Sequence, residues 1–161
     1  MTGRVPGGNS LAGTTFGVIG VGNIIAAVAH RAHTLGMTVL DTDVETFPDD
    51  LVADIDIERV GTDELLKRSD VISLNCALTE ATRELIGADE LAKLGTEGYH
   101  INTARGQLID QEALVDALTS RTIVGAALDV SQRNPSSRSI HWQTWTRSSS
   151  VHATSRIRRK R

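Results

Sequence analysis

The sequence predicts a doubly wound α/β fold, a parallel sheet forming the middle of three αβα layers. Two observations carry this. Short apolar runs of strand length alternate with helical stretches through the first 130 residues, a pattern that makes βαβ units with right-handed crossovers. A glycine turn also stands at the first strand-to-helix junction, where sheets of this kind open toward a ligand. The 161 residues suit a single domain.

The elements follow in order. Residues 15–20, Thr-Phe-Gly-Val-Ile-Gly, read as a short buried strand. The chain then turns through Gly20-Val21-Gly22 into a helix to about Leu35, closed by Gly36 as a C′ residue. Residues 38–40 form a second strand, ending at Asp41-Thr42-Asp43. Residues 44–56 are acidic, contain Pro48 and read as loop with one helical turn. A marginal strand at 57–60 precedes a helix from an N-capping Thr62 through Arg68, with Asp63 and Glu64 favoured by the dipole in its first turn. Residues 71–74 form a buried strand, and 79–85 and 88–94 two short helices. Residues 99–103 make the next strand. Asp110 caps a helix over 112–118 with Leu114, Val115 and Leu118 on one face, and 122–130 is the last strand.

Composition bounds the function. Apolar residues make up 40% and charged residues 23%, enough for a globular core. The longest apolar run, Ile24–Ala29, is far short of the ~20 residues that span a bilayer. Residues 1–10 show no secretory h-region, and the single cysteine, Cys76, leaves no intrachain disulfide. These features point to a cytoplasmic protein without a membrane partner. The net charge of −3 hides a split: every acid lies in residues 1–130, whereas residues 131–161 hold eight Lys or Arg and both tryptophans. The expected organisation is an N-terminal stub (1–10), a nucleotide-binding domain (11–135) and a disordered basic Ser/Arg-rich tail (136–161). The tail carries no aromatic–basic pattern of a nucleic-acid binder, and the sequence shows no metal-ligand cluster.

The glycine turn is the candidate site. Gly20 allows the tight turn and Gly22 close backbone approach, so amides near Asn23 and Ile24 face an anion with the helix dipole behind them. Asp43, 23 residues after Gly20, sits near the offset of the acid that hydrogen-bonds a ribose 2′-OH, with Asp41 its rival. A carboxylate there repels a 2′-phosphate, so NAD is favoured over NADP. Ile25 stands where the third glycine of a Rossmann-like G-x-G-x-x-G turn would be. It is expected to push helix from strand at a cost of about 1–3 kcal/mol and to weaken nucleotide binding.

The run Ile101-Asn102-Thr103-Ala104-Arg105-Gly106 followed by Ile109-Asp110 resembles the D-isomer-specific 2-hydroxyacid dehydrogenases. So do residues 11–20, the segments Ser69–Cys76 and Leu78–Thr82, and Gly125–Val130, in register over about residues 11–135. The resemblance implies hydride transfer between NAD and a small 2-hydroxy or 2-keto acid. It implies that Asn23 and Ile24 present amides to the pyrophosphate, Asp43 holds the adenosine ribose, and Cys76 and Thr103 line the cofactor cleft. Asp129 would orient the nicotinamide carboxamide, and Arg105 would be the catalytic arginine. A guanidinium suits that task, since its planar fork can clamp a carboxylate and polarise the neighbouring carbonyl. The bland alternative for Arg105 is a surface residue paired with Asp110 or Glu112. Cys76 reads as a small cleft residue rather than a nucleophile, and His100 as structural. Pairing into a homodimer through this domain is also implied.

The pattern breaks near residue 131. Asn134 stands where the family places a glutamate that orients a general-acid histidine, and Ser131 replaces an apolar residue. His152 and His141 lack the family's context for that histidine, and Ala77 replaces a proline. The composition change is what a shifted reading frame would produce. The family's second, substrate-binding domain has no counterpart in the 161 residues, so the chain alone is expected to turn over little or nothing. The competing expectation is a nucleotide-binding remnant without catalysis.

Overall fold

The computed structural model describes residues 10–43 and 55–130. The elements are β1 (Thr15–Ile19), α1 (Asn23–Thr34), β2 (Thr38–Thr42), β3 (Ile57–Arg59), α2 (Thr62–Arg68), β4 (Val71–Leu74), α3 (Ala88–Leu94), β5 (Tyr99–Asn102), a 3-10 turn (Gly106–Leu108), α4 (Gln111–Ser120) and β6 (Gly125–Leu128). The six strands form one sheet in the order β3-β2-β1-β4-β5-β6. All pairs are parallel, with Gly17 opposite Leu40 on one side and Ile72 on the other. The order reverses between β1 and β4, the switch point at which such sheets bind ligands.

Two apolar clusters hold the layers together. Phe16, Val18 and Val39 meet Ile25, Ala26, Ala29 and Ala32 of α1 on one face. Ile19, Leu40, Ile72 and Leu74 meet Leu65 and Leu66 of α2, Leu91 and Leu94 of α3, and Leu114 and Ala117 of α4 on the other. Each fully buried Leu or Ile there contributes about 1.5–3 kcal/mol. Helix α1 ends as its sequence asks. Gly36 has φ +81, its N–H donates to His33 O at 2.9 Å, and the Met37 N–H reaches Ala32 O at 3.1 Å, the paired bonds of a Schellman cap. Asp110 caps α4 as expected, its Oδ1 accepting the amides of Glu112 at 2.9 Å and Ala113 at 3.1 Å.

Three expectations need correction. Residues 79–85 are turns rather than a helix. Thr82 Oγ1 donates to Ala77 O at 2.7 Å and accepts the Thr79 amide at 2.7 Å, and these short bonds compete with a helical ladder. Glu84 takes a left-handed φ of 51°, and Ile86 then bridges Ile109. Helix α2 is capped by Gly61, not Thr62, which is already helical. Strand β6 covers only 125–128, and β5 stops at Asn102. Ile25 is 2% exposed and packs in the α1 cluster beside Ala26, Ala29 and Ala32. The N-terminal stub to Asn9, most of the loop expected at 44–56, the basic tail, Ser131, Asn134, His141 and His152 lie outside the described residues.

Candidate functional site

The glycine turn is braced from both sides. Gly20 has φ +102, and a Cβ there would sit 2.3 Å from the Cys76 nitrogen and 2.7 Å from the Asn75 carbonyl carbon. Only glycine lets this turn lie on the chain leaving β4. The Gly20 N–H donates to Thr42 O at 3.2 Å, and the Asn75 N–H donates to Ile19 O at 2.8 Å. Gly22 is the N-cap of α1, and a Cβ there would meet nothing within 4 Å, so the space above it is open. Among the described residues no side chain caps α1, and its first turn holds no acid. The first helical bond is Ala26 N–H to Gly22 O at 2.9 Å, which leaves the amides of Asn23, Ile24 and Ile25 without an intrahelical acceptor at the positive end of the dipole. The Ile24 side chain, 83% exposed, stands at the mouth of this turn.

The acid beside the turn is Asp43. Its Oδ2 accepts the Val21 N–H at 2.7 Å, tying the end of β2 to the middle of Gly20-Val21-Gly22. Asp41, the rival, is buried and engaged elsewhere: its Oδ2 accepts from Arg59 Nη2 at 2.7 Å and Nε at 3.1 Å. Cys76 lies half-buried against Gly20. Burial, with the Asp43 carboxylate adding, pushes its thiol up, so it is a neutral wall rather than a thiolate.

The other candidates follow the neighbouring strands. Thr103 is exposed one residue beyond β5, and Arg105 is exposed two residues further on. Arg105 Nη1 donates to Ala104 O at 2.7 Å, and among the described residues Arg105 forms no ion pair with Asp110 or Glu112. Asp129 is exposed one residue past β6, its N–H donating to Asn102 O at 3.1 Å. Because every strand is parallel, Asp43, Gly20, Cys76, Thr103 and Asp129 line one carboxyl edge in that order. The four inter-strand gaps from β2 to β6 span about 19 Å at ~4.8 Å each. Three participants were not singled out from sequence: Val21, whose amide takes the aspartate; Asn75, whose Nδ2 donates to Ser73 O at 3.0 Å; and Asn102, fully buried at the end of β5. A polar residue closing an apolar strand is the signal that marks the last two. Among the described residues no acid, histidine and cysteine cluster could hold a metal, and no helix is long and apolar enough to cross a membrane.

Comparison with known proteins matches this geometry to a family. The profile of the D-isomer specific 2-hydroxyacid dehydrogenase NAD binding domain matches residues 2–155. Glycerate dehydrogenase of Methylorubrum extorquens is 43% identical over 125 residues, covering 78% of this chain and 37% of that protein. Hydroxypyruvate reductase of Thermotoga maritima is 41% identical over 128 residues, covering 80% of this chain and 40% of that protein. The crystal structure of a glyoxylate reductase from Paecilomyes thermophila superposes with a TM-score of 0.74 at 41% identity, over 83% of this chain and 40% of that one. The NAD complexed form of a D-isomer specific 2-hydroxyacid dehydrogenase from Lactobacillus delbrueckii ssp. bulgaricus gives 0.71 at 35% identity, over 76% and 37%. The chain therefore spans well under half the length of the relatives it matches.

Proposed function

We propose a function from one premise: the chain belongs to the D-isomer-specific 2-hydroxyacid dehydrogenase family, as its NAD-binding domain. The reading places an NAD dinucleotide along the carboxyl edge of the sheet, as one wall of a cleft that reduces a small 2-keto acid. The Asn23 and Ile24 amides take the pyrophosphate at the amino end of α1. Asp43 takes the adenosine ribose, held at the turn by the Val21 amide. Cys76 and Thr103 flank the cofactor, and Asp129, at the far end of the edge, takes the nicotinamide carboxamide.

Bound NADH would supply the hydride. Arg105 would clamp the substrate carboxylate and polarise the adjacent carbonyl, stabilising the negative charge that grows on its oxygen. Its position supports this: it stands exposed beyond β5, beside Thr103 and free of any acidic partner among the described residues. Turnover also needs a proton donor and a second wall to exclude water, and none of the described residues is placed to supply either.

The observation that carries the proposal is the 2.7 Å bond between Asp43 and the glycine turn, which brings the ribose acid and the phosphate site together. The test is calorimetric titration of the chain with NADH and NADPH. NADH binds and NADPH binds at least about tenfold more weakly, because the 2′-phosphate meets the carboxylate. Asp43→Ala weakens NADH and abolishes the discrimination. Equal affinity for both cofactors in the wild-type chain contradicts the assignment.

A further inference from the structure

We propose that Asn102 is a positioning residue that sets the backbone carrying the Arg105 guanidinium, an inference that rests on the role given to Arg105 above. Asn102 is the last residue of β5 and is fully buried, in register between Leu74 and Leu128. Its Oδ1 accepts the Ala104 N–H at 3.1 Å, and its Nδ2 donates to Arg105 O at 2.9 Å. One side chain thus grips the peptide group entering the Ala104–Arg105 segment and the one leaving it. Either bond fixes the orientation of the amide, since turning it over would set NH2 against N–H and oxygen against oxygen.

Thr103 and Arg105 are exposed, and Arg105 is extended at φ −144 and ψ 136. Its carbonyl also accepts the Leu108 N–H at 3.2 Å from the 3-10 turn. A two-point carboxylate clamp depends on where its stem begins, so a loose Arg105 backbone degrades the clamp while the pyrophosphate and ribose contacts on β1 and β2 stay in place. The site calls for one acceptor and one donor on a short planar stem. Asparagine supplies both, and aspartate of the same shape supplies only the acceptor.

The test uses the full chain with Asn102→Asp and Asn102→Ala, beside Arg105→Ala. Three quantities are measured: backbone 15N relaxation at residues 103–106, NADH affinity by calorimetry, and NMR-detected binding of oxamate, which carries a carboxylate beside a carbonyl, to the NADH-loaded chain. In both Asn102 variants the Ala104 and Arg105 amides gain motion, and NADH affinity stays within about twofold. Oxamate affinity falls about five- to tenfold in Asn102→Asp, the effect of one lost hydrogen bond to the loop, and at least as far in Asn102→Ala, which loses both. A role confined to fold stability would lower the melting temperature without changing the ratio of oxamate to NADH affinity. If Asn102→Ala does not fold, the isosteric Asn102→Asp carries the test alone. A 103–106 segment as rigid as wild type, or loosened with oxamate affinity unchanged, overturns the inference by itself. Oxamate that binds Arg105→Ala as well as wild type, or does not bind wild type, refutes the role of Arg105 and with it the chemistry assigned to Asn102.

Discussion

Acidification should destabilise this domain through one residue, His100. The imidazole lies in the middle of β5 between Ile72 and Ala126, on the sheet face of the larger apolar cluster, and is 0% exposed. Among the described residues neither ring nitrogen has a hydrogen-bond partner. The helices covering that face carry Asp63, Glu64, Lys67 and Arg68 on α2, Asp89, Glu90 and Lys93 on α3, and Glu112 and Asp116 on α4, none of them buried. Burial lowers the His100 pKa from 6.5 to about 4. The folded state therefore refuses a proton that the unfolded state accepts once pH falls below 6.5. Stability is fully present above pH 6.5, declines as pH falls toward 4, and loses nothing further from this group below that. At about 1.4 kcal/mol per pH unit the loss comes to about 3 kcal/mol, a large share of the ~5–15 kcal/mol that holds a domain together. The assay is urea unfolding at a series of pH values from 7.5 to 4, in wild type and His100→Leu. Carboxylate titration is common to both chains, so the difference between their curves isolates the imidazole. Wild type should lose about 3 kcal/mol more than His100→Leu across this window. Parallel curves, or an NMR titration of His100 near 6.5, would refute the reasoning.

Other perturbations have definite outcomes. Gly20→Ala drives a methyl into the Cys76 nitrogen at a positive φ, and should cost about 2–3 kcal/mol in a thermal melt along with NADH binding. Asp110→Ala removes the cap that accepts the Glu112 and Ala113 amides, and should cost about 1 kcal/mol by urea unfolding. Arg59→Met strips the buried Asp41 carboxylate of its ion pair. Because Arg59 is partly exposed the loss should be about 1–2 kcal/mol by urea unfolding.

The sheet was legible in the sequence because its strands are mostly short apolar runs separated by helical stretches. Val71–Leu74 has few alternatives to a buried strand, and Asp110 and Gly36 mark helix ends by mechanisms that act within a few residues. The glycine turn was legible for the same reason, since the close approach at Gly20 is a local requirement. Reading failed where tertiary or side-chain competition decides. Thr79 and Thr82 bind each other's backbone and divert residues 79–85 from a helix their apolar content would permit. That Ile25 is buried in one cluster with three alanines of the same helix is visible only once the helix is packed. That Asp41 is engaged by Arg59 required coordinates, because Arg59 lies on a different strand. The partnering of Asn102 with Ala104 and Arg105 depends on side-chain direction at a strand end, to which residue spacing is blind.

The most direct measurement is a map of backbone amide shifts as NADH is added to the 15N-labelled chain. The account predicts that the largest changes run from Gly20 through Ile24, at Asp43, and at Asn75 and Cys76, with smaller ones at Thr103 and Asp129 and none along the opposite edge of the sheet. Saturable changes that leave residues 20–24 and Asp43 untouched while moving another face would contradict it.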